Sequence, residues 1–302
     1  MSFDTPITLT GPARSPRNLL HDQEYDGHAS LHDESVADGL GLAGAPIEGP
    51  THFSQFEPFG FALWGQRWYE TGCISMHFQT MVVEGEEVAA RATTTPGAER
   101  AEVSAAKADG TPVCAGTISV DPGTTTALDE RLAATLQRDV GDLFIVDRLE
   151  VGMTSREPVT ATVDMDTPNG SLYPFSLRRK LDTITESTPW FDTDDTPWGR
   201  PVLPFEMLSV LAQKRGADLP VRGPAVGLFL DLEVRLVDGP VFVGEEYAIE
   251  REVVALSQSR KVESHWVRSG LTASDGRHVA DVLLHSGVFK ASYADYPQDR
   301  LA

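Results

Sequence analysis

Four histidines lie close together in the N-terminal part of the chain, at positions 21, 28, 32 and 52. Such a group suggests a metal site, because imidazole is a common metal ligand. The spacing of these residues matches no zinc motif, however, and we therefore expect no metal here. Each histidine then remains either an acid–base group or a structural side chain.

The two cysteines, Cys73 and Cys114, both lie in strand-like segments. Cys73 has no basic neighbour in the sequence that would lower the pKa of its thiol. We therefore interpret both residues as reduced packing side chains, and we predict neither a disulfide nor thiol catalysis.

Two groups in the C-terminal half have the chemistry to bind a ligand. Arg178, Arg179 and Lys180 form the densest basic cluster of an acidic chain, and such groups bind phosphates. The alternative is a solvated charged strand edge. A second group is aromatic and either lines a bulky apolar pocket or fills a core: Tyr173, Phe175, Trp190, Trp198 and Phe205.

Composition limits the class of protein. The 302 residues are 41% hydrophobic and 23% charged, which is typical of a globular chain with room for two domains. The net charge of −20 argues against nucleic acid or an anionic membrane as partner, because both require a cationic surface. No apolar run reaches the length of a membrane span, and residues 1–20 lack a signal-peptide core. We therefore expect a cytoplasmic protein.

The sequence repeats itself. Three motifs recur in order: Gly44-Ala45-Pro46-Ile47 as Gly199-Arg200-Pro201-Val202, Gly85-Glu86-Glu87-Val88 as Gly244-Glu245-Glu246-Tyr247, and Asp109-Gly110 as Asp275-Gly276. The offset between copies grows steadily along the chain, as loop insertions would produce. The repeat predicts two structural copies in one chain. We place an N-terminal copy at 1–125, a linker helix and connecting strand at 126–155, and a C-terminal copy at 156–302.

Hydrophobic periodicity predicts the same order of elements in both copies, a buried helix followed by antiparallel strands. The first copy has a kinked helix over 52–69 and strands over 73–83, 87–95, 101–107 and 113–120. A linker helix over 126–138 precedes extended segments over 143–151 and 159–164. The second copy has a helix over 205–215 and strands over 226–236, 246–256, 264–273 and 279–288. This pattern indicates an α+β fold in which a sheet curls around one helix in each copy.

The segment His32-Asp33-Glu34-Ser35-Val36-Ala37-Asp38-Gly39-Leu40-Gly41-Leu42-Ala43-Gly44-Ala45-Pro46-Ile47 resembles MaoC-like (R)-specific enoyl-CoA hydratases. In that family a histidine is followed by acidic residues, an alanine and a Gly-Pro-Ile entry to the central helix. Residues 74–88 are similar to the strand, turn and strand that follow. The resemblance covers both halves of the chain and implies a double hotdog fold, with two tandem hotdog repeats.

The resemblance implies an acid–base pair. In the family an aspartate precedes a histidine by five residues, with Asn-Pro between them, and the pair hydrates an enoyl thioester held in a tunnel. The matching residues here are Asp26 and His32, which lie six residues apart without Asn-Pro. The alternative imidazole is His28, and His52 at the start of the helix is a further candidate. The reaction would interconvert a 2-enoyl-CoA and an (R)-3-hydroxyacyl-CoA.

The resemblance also implies a backbone amide that binds the thioester oxygen at the start of the central helix. Pro50 has no N–H, so the donor is expected at Gly49 or Thr51. Coenzyme A enters as part of an acyl-CoA or other acyl thioester substrate, and no metal or redox cofactor is expected. The basic and aromatic groups described above would then contact the phosphates of coenzyme A and the acyl group.

Two other functions stay open. Some hotdog thioesterases combine a carboxylate near the central helix with a histidine on the next strand, and Glu48, His52 and His77 have those positions. The third reading is a catalytically silent acyl-binding protein or the partner subunit of an active hydratase. Residues 188–198, which correspond to the catalytic segment, contain no histidine, so we expect any catalysis in the first half. By resemblance, two chains would pair through sheet edges into a homodimer of pseudo-dimers.

Overall fold

The computed structural model describes residues 5–24, 27–155, 159–214 and 219–301. Within these ranges ten strands form one antiparallel sheet: β1 (Ile7–Thr10), β2 (Cys73–Phe78), β3 (Val88–Thr94), β4 (Arg100–Lys107), β5 (Pro112–Ser119), β6 (Val159–Thr162), β7 (Gly227–Leu236), β8 (Glu246–Gln258), β9 (Val262–Ala273) and β10 (His278–Phe289). The same described segments contain six α-helices: α1 (Glu34–Gly39), α2 (Glu57–Trp64), α3 (Arg67–Thr71), α4 (Ala127–Leu136), α5 (Leu177–Leu181) and α6 (Phe205–Gln213). A 3₁₀ helix, Gly49–Gln55, leads into α2.

The strand order shows two copies of one pattern. The sheet runs β1-β3-β4-β5-β2-β7-β10-β9-β8-β6, so that each half contributes five strands in the same relative order. The halves join where β2 pairs antiparallel with β7, from Cys73 opposite Arg235 to His77 opposite Asp231. The predicted repeat is therefore confirmed, while the boundaries placed at residues 125 and 155 stay predictions.

The central helices of the two halves pack against each other on the inner face of the sheet. In α6, eight of the nine residues are buried, as expected for a helix enclosed by a curled sheet. The Trp68 and Phe205 rings stack with their centroids 4.6 Å apart. A Cβ at Gly60 would lie 2.3 Å from the Trp68 ring, so only glycine permits this approach of the chain.

Helix α4 covers the outer face of the sheet where the halves meet. It begins with a capping box in which Thr126 and Asp129 bond reciprocally to backbone amides. Its buried residues Leu128 and Leu132 pack with Trp266 from the second half. The predicted linker helix is thus present and ties the two halves together.

The main differences from the predicted elements have local causes. The single helix predicted over 52–69 is divided into three pieces, with a break at Gly65, whose φ of 59° lies in the left-handed region. The extended prediction for 143–151 is wrong. There the amides of Phe144, Ile145 and Val146 donate to the buried carboxylate of Glu263, so they do not join a sheet. Strand β1 and helix α1 lie before residue 52, where the first predicted helix begins, and neither was predicted.

Candidate active site

A cavity of about 450 Å³ lies between the two halves. The first half contributes the loop 28–32, residues 46–52 and the chain after β2, and the second half contributes the inner faces of β7, β9 and β10. The rim includes the exposed residues Gln79 and Thr80, whereas the part formed by β9 is buried. An enclosed cleft with an apolar wall and a few polar groups is the usual form of a small-molecule site.

His32 lines this cavity in a defined tautomer. Its Nδ1 lies 2.7 Å from the carbonyl oxygen of Pro46, which only accepts hydrogen bonds, so Nδ1 carries the proton and Nε2 has the free lone pair. Burial lowers the pKa of His32, although the Pro46 carbonyl and the charge of Glu48 oppose that effect. The bond to Pro46 holds the ring, and the next residue, Asp33, caps helix α1. The result is a neutral imidazole that is suited to accept a proton.

A buried ion cluster lies behind the cavity wall. The Lys180 Nζ lies 3.4 Å from Glu48 Oε2, 3.2 Å from Glu206 Oε2 and 2.9 Å from the Thr51 hydroxyl. Burial disfavours the Lys180 ammonium, but the charges of Glu206 and Glu48 outweigh it and raise the pKa of that lysine. Burial likewise raises the pKa of Glu206 to about 7, against the opposing effect of Lys180. One ammonium thus holds two carboxylates, and only Glu48 also lines the cavity.

The start of the 3₁₀ helix distinguishes the two predicted amide donors. The Thr51 amide donates to the Glu48 carbonyl at 3.1 Å and is therefore occupied. Gly49 lines the cavity, and its amide belongs to the first turn, where a helix offers no acceptor of its own. A Cβ at Gly49 would lie 3.0 Å from the Phe78 ring, which explains the need for glycine at this position.

The other histidines of the segment have separate environments. His28 lines the cavity, and its Nδ1 accepts a hydrogen bond from the Ala225 amide at 3.2 Å. His52 is buried, bonds Gln55 at 3.2 Å and has its pKa lowered by burial to about 4. Asp26, the predicted partner of His32, lies outside the described residues, so its relation to the imidazole stays a prediction.

Of the binding residues predicted in the C-terminal half, Tyr173 lines the cavity, whereas the basic pair Arg178 and Arg179 and the other aromatic residues do not. Arg178 is paired with Asp166, and Arg179 is exposed on α5, so this basic cluster lies on a helix and not on a strand edge. Trp190 and Trp198 are half-buried, pack edge to face at 5.5 Å and lie against the main core. Their rings therefore fill the second half at the segment that corresponds to the catalytic segment of the first.

The thioesterase interpretation required contact between His77 and Glu48, and the two residues do not meet. His77 lies beneath α4 on the outer face, 2.8 Å from Asp231, which also binds His285 at 2.6 Å and Arg131 at 2.6 Å. Burial alone would raise the pKa of Asp231, but hydrogen bonds from His285 and His77 and the Arg131 charge hold it well below its usual range. This cluster fastens α4 to the sheet and has no contact with the cavity.

The sequence interpretation did not single out the polar residues at the buried end of the cavity. His265 and Ser269 line that end on β9, with Val267 between them. The signal was present, since alternate residues of a strand share one face and His265, Val267, Ser269 and Leu271 alternate. The inward position of two polar residues on a strand therefore indicates a site more clearly than their residue types do.

Solved structures with the same architecture cover nearly the whole chain. One, from Chloroflexus aurantiacus, is described as a MaoC domain dehydratase; it is 14% identical with a TM-score of 0.58, over 95% of both chains. Another is a conserved hypothetical protein from Mycobacterium tuberculosis, described as having a double hotdog fold; it is 13% identical with a TM-score of 0.59, over 96% of this chain and 97% of that one. The present chain has the double hotdog fold. No family model and no curated protein matches its sequence.

The double hotdog fold predicted from the repeat and the motif is thereby confirmed. At these identities the likeness shows the fold alone, and the chemistry must be argued from the cavity. In the described part of the chain no helix is long and apolar enough to cross a membrane.

Proposed function

We propose that this double hotdog protein is a hydratase or dehydratase that interconverts a 2-enoyl thioester and an (R)-3-hydroxyacyl thioester. The proposal rests on one observation: the neutral His32 imidazole and the start of the 3₁₀ helix at Gly49 line the same cavity. A base and an amide donor on one cavity are what this reaction needs. The resemblance of residues 32–47 to MaoC-like hydratases and a neighbour described as a MaoC domain dehydratase support the same class.

The arrangement suggests a division of roles. In hydration, Nε2 of His32 accepts a proton from water as the oxygen adds to the β-carbon. Charge that develops on the thioester oxygen is stabilised by the Gly49 amide, and the α-carbon then receives a proton from the His32 imidazolium, which returns to its neutral form. Asp26 is the partner that the resemblance assigns to this acid–base work. Coenzyme A takes part only as the carrier of the substrate, and we propose no metal or redox cofactor.

The test is an assay with 2-enoyl-CoA esters that follows loss of the conjugated enoyl absorbance and release of free thiol in parallel. We expect enoyl loss without thiol release. His32→Ala should lower kcat/KM by about 10²–10⁴-fold, the usual contribution of a general acid or base. Gly49→Ala should lower it by about 10²-fold, because displacement by the Phe78 ring moves the amide.

The matched control is His21→Ala, since His21 is 66% exposed, pairs with Asp22 and does not line the cavity. It should behave like the wild type. Full activity in the His32→Ala variant would refute the assignment of the base. Binding of acyl-CoA without turnover would instead indicate the silent acyl-binding protein.

A thioesterase is the second candidate because of Glu48. This carboxylate is 5% exposed and lines the cavity, and its Oε1 has no hydrogen-bond partner within the described residues. A carboxylate so placed has the chemistry to attack an acyl carbonyl or to activate water. Thiol release that is abolished by Glu48→Gln and retained by His32→Ala would favour this function.

A further inference from the structure

We propose that the acyl group bound in this cavity carries an oxygen substituent, a hydroxyl or a carboxylate, that hydrogen-bonds to His265 and Ser286. This inference rests on the proposed function for the thioester end of the ligand. It adds the class of acyl group to that function, because it concerns the wall of the same cavity that β9 and β10 form.

The two residues are placed together by the register of the sheet. His265 on β9 and Ser286 on β10 lie directly opposite each other in the antiparallel pairing, and both line the cavity. Ser269 also lines the cavity, but it lies four residues further along β9, roughly 13 Å away, which is too far to share one oxygen with His265. His265 and Ser286 therefore form a polar patch, which we call the polar floor, where a plain alkyl chain would require an apolar surface.

Burial shows which part of a thioester reaches the polar floor. His265 is 9% exposed and Ser286 is half-buried, whereas Gln79 and Thr80 at the rim are exposed. The bulky nucleotide of coenzyme A must remain on the solvent side of the rim. The acyl group is therefore the part that enters deeply enough to contact the floor.

His265 lacks a hydrogen-bond partner in the described part of the chain. Its Nδ1 is buried without a donor or acceptor, and burial lowers the pKa of this histidine to about 4. The ring is therefore neutral near pH 7, with one nitrogen that donates and one that accepts. An alkyl chain would leave this polar ring unsatisfied, whereas a substrate oxygen would pair with it.

The preference for an oxygen-bearing acyl group over a plain alkyl group should be measurable. A site built to bond a substrate hydroxyl disfavours the analogue that lacks it, and one buried hydrogen bond corresponds to roughly 10- to 100-fold in kcat/KM. We therefore compare 2-enoyl-CoA esters of equal heavy-atom number whose chains end in a methyl, a hydroxyl or a carboxylate. The wild type should prefer one of the two oxygen-bearing esters by at least about tenfold, and the better one identifies the substituent.

Two variants assign that preference to the polar floor. His265→Leu should remove or reverse the preference and retain turnover of the methyl-ended ester. Ser286→Ala is a smaller change that should reduce the preference even if the leucine variant folds poorly. The matched control is His278→Leu. His278 lies on β10, its side chain is 44% exposed, and it does not line the cavity. This variant should keep the wild-type preference.

Failure of this inference can be distinguished from failure of the proposed function. Hydration of the methyl-ended ester at an equal or higher rate would overturn the polar acyl group and leave the hydratase assignment intact. If no ester is hydrated, calorimetry with the saturated acyl-CoA esters decides. Tighter binding of an oxygen-bearing ester that is lost in Ser286→Ala supports the inference, and equal binding overturns it.

Discussion

Glu206 should make the protein less stable as the pH rises, and Glu206→Gln should remove that dependence. The carboxyl is 1% exposed, and burial raises its pKa from 4.5 to about 7 in the folded state. The unfolded chain therefore ionises first, and stability that is fully present below pH 4.5 is lost as the pH rises to about 7. A difference of this size corresponds to about 3 kcal/mol in total.

The measurement is urea unfolding of wild type and Glu206→Gln at several pH values. The lower limit should be about pH 5.5, because the isoelectric point of 4.7 favours precipitation below it. Between pH 5.5 and 8.5 the stability of the glutamine variant should rise relative to wild type by about 2 kcal/mol. Glu57 is also buried with its pKa raised, in part by the charge of Glu206, so the difference between the two curves reports Glu206 together with its effect on Glu57.

The control is Glu130→Gln, since Glu130 is exposed on α4 and its curve should run parallel to wild type. The reasoning is refuted if Glu206→Gln loses stability relative to wild type as the pH rises. That result would mean that Glu206 is ionised in the folded state at low pH and acts as a net stabilising partner of Lys180.

Three further substitutions test the packing and the ion clusters. Lys180→Met should lower the free energy of unfolding by about 3–5 kcal/mol, because it leaves two buried carboxylates without a cation; neutralising one of them should recover part of the loss. Asp231→Asn should cost about 3 kcal/mol, because it removes the charge shared by its imidazole and guanidinium partners, and loosened α4 should exchange its amide protons faster. Gly60→Ala should cost about 1–3 kcal/mol through the clash with Trp68, whereas Gly39→Ala, where no atom lies within 4 Å, should be nearly neutral in thermal unfolding.

The sequence predicts the sheet well because its signals are local. Alternation of apolar residues and the Asp-Gly turns at 109–110 and 275–276 place most strands within two residues of their observed ends. The same alternation failed at 143–151, where a single side chain, Glu263, takes the amides that a strand would have used. A contact with a residue more than a hundred positions away leaves no trace in a local pattern.

The candidate site was predicted only in part for the same reason. The motif around His32 and the glycine at the start of the 3₁₀ helix are short-range features, and both line the cavity. The contact of Lys180 with Glu48 depends on how the two halves dock, and the sequence analysis had offered that lysine only as part of a phosphate-binding cluster. Whether Trp190 lines a pocket or fills a core is likewise decided by tertiary packing.

The connection between the halves, residues 126–155, also bears on aggregation. A strand at the edge of a sheet exposes unpaired amides that can recruit another chain, and thirteen-residue β8 lies next to the edge of this sheet. β6 pairs with only four of its residues, while Gly152 and Ser155 of the connection bond to its carbonyls and the Val140 carbonyl binds Gln258. The connection therefore covers backbone groups of β8 that could otherwise pair with another chain. A proteolytic cut within the connection would favour intermolecular strand pairing even with the cavity intact.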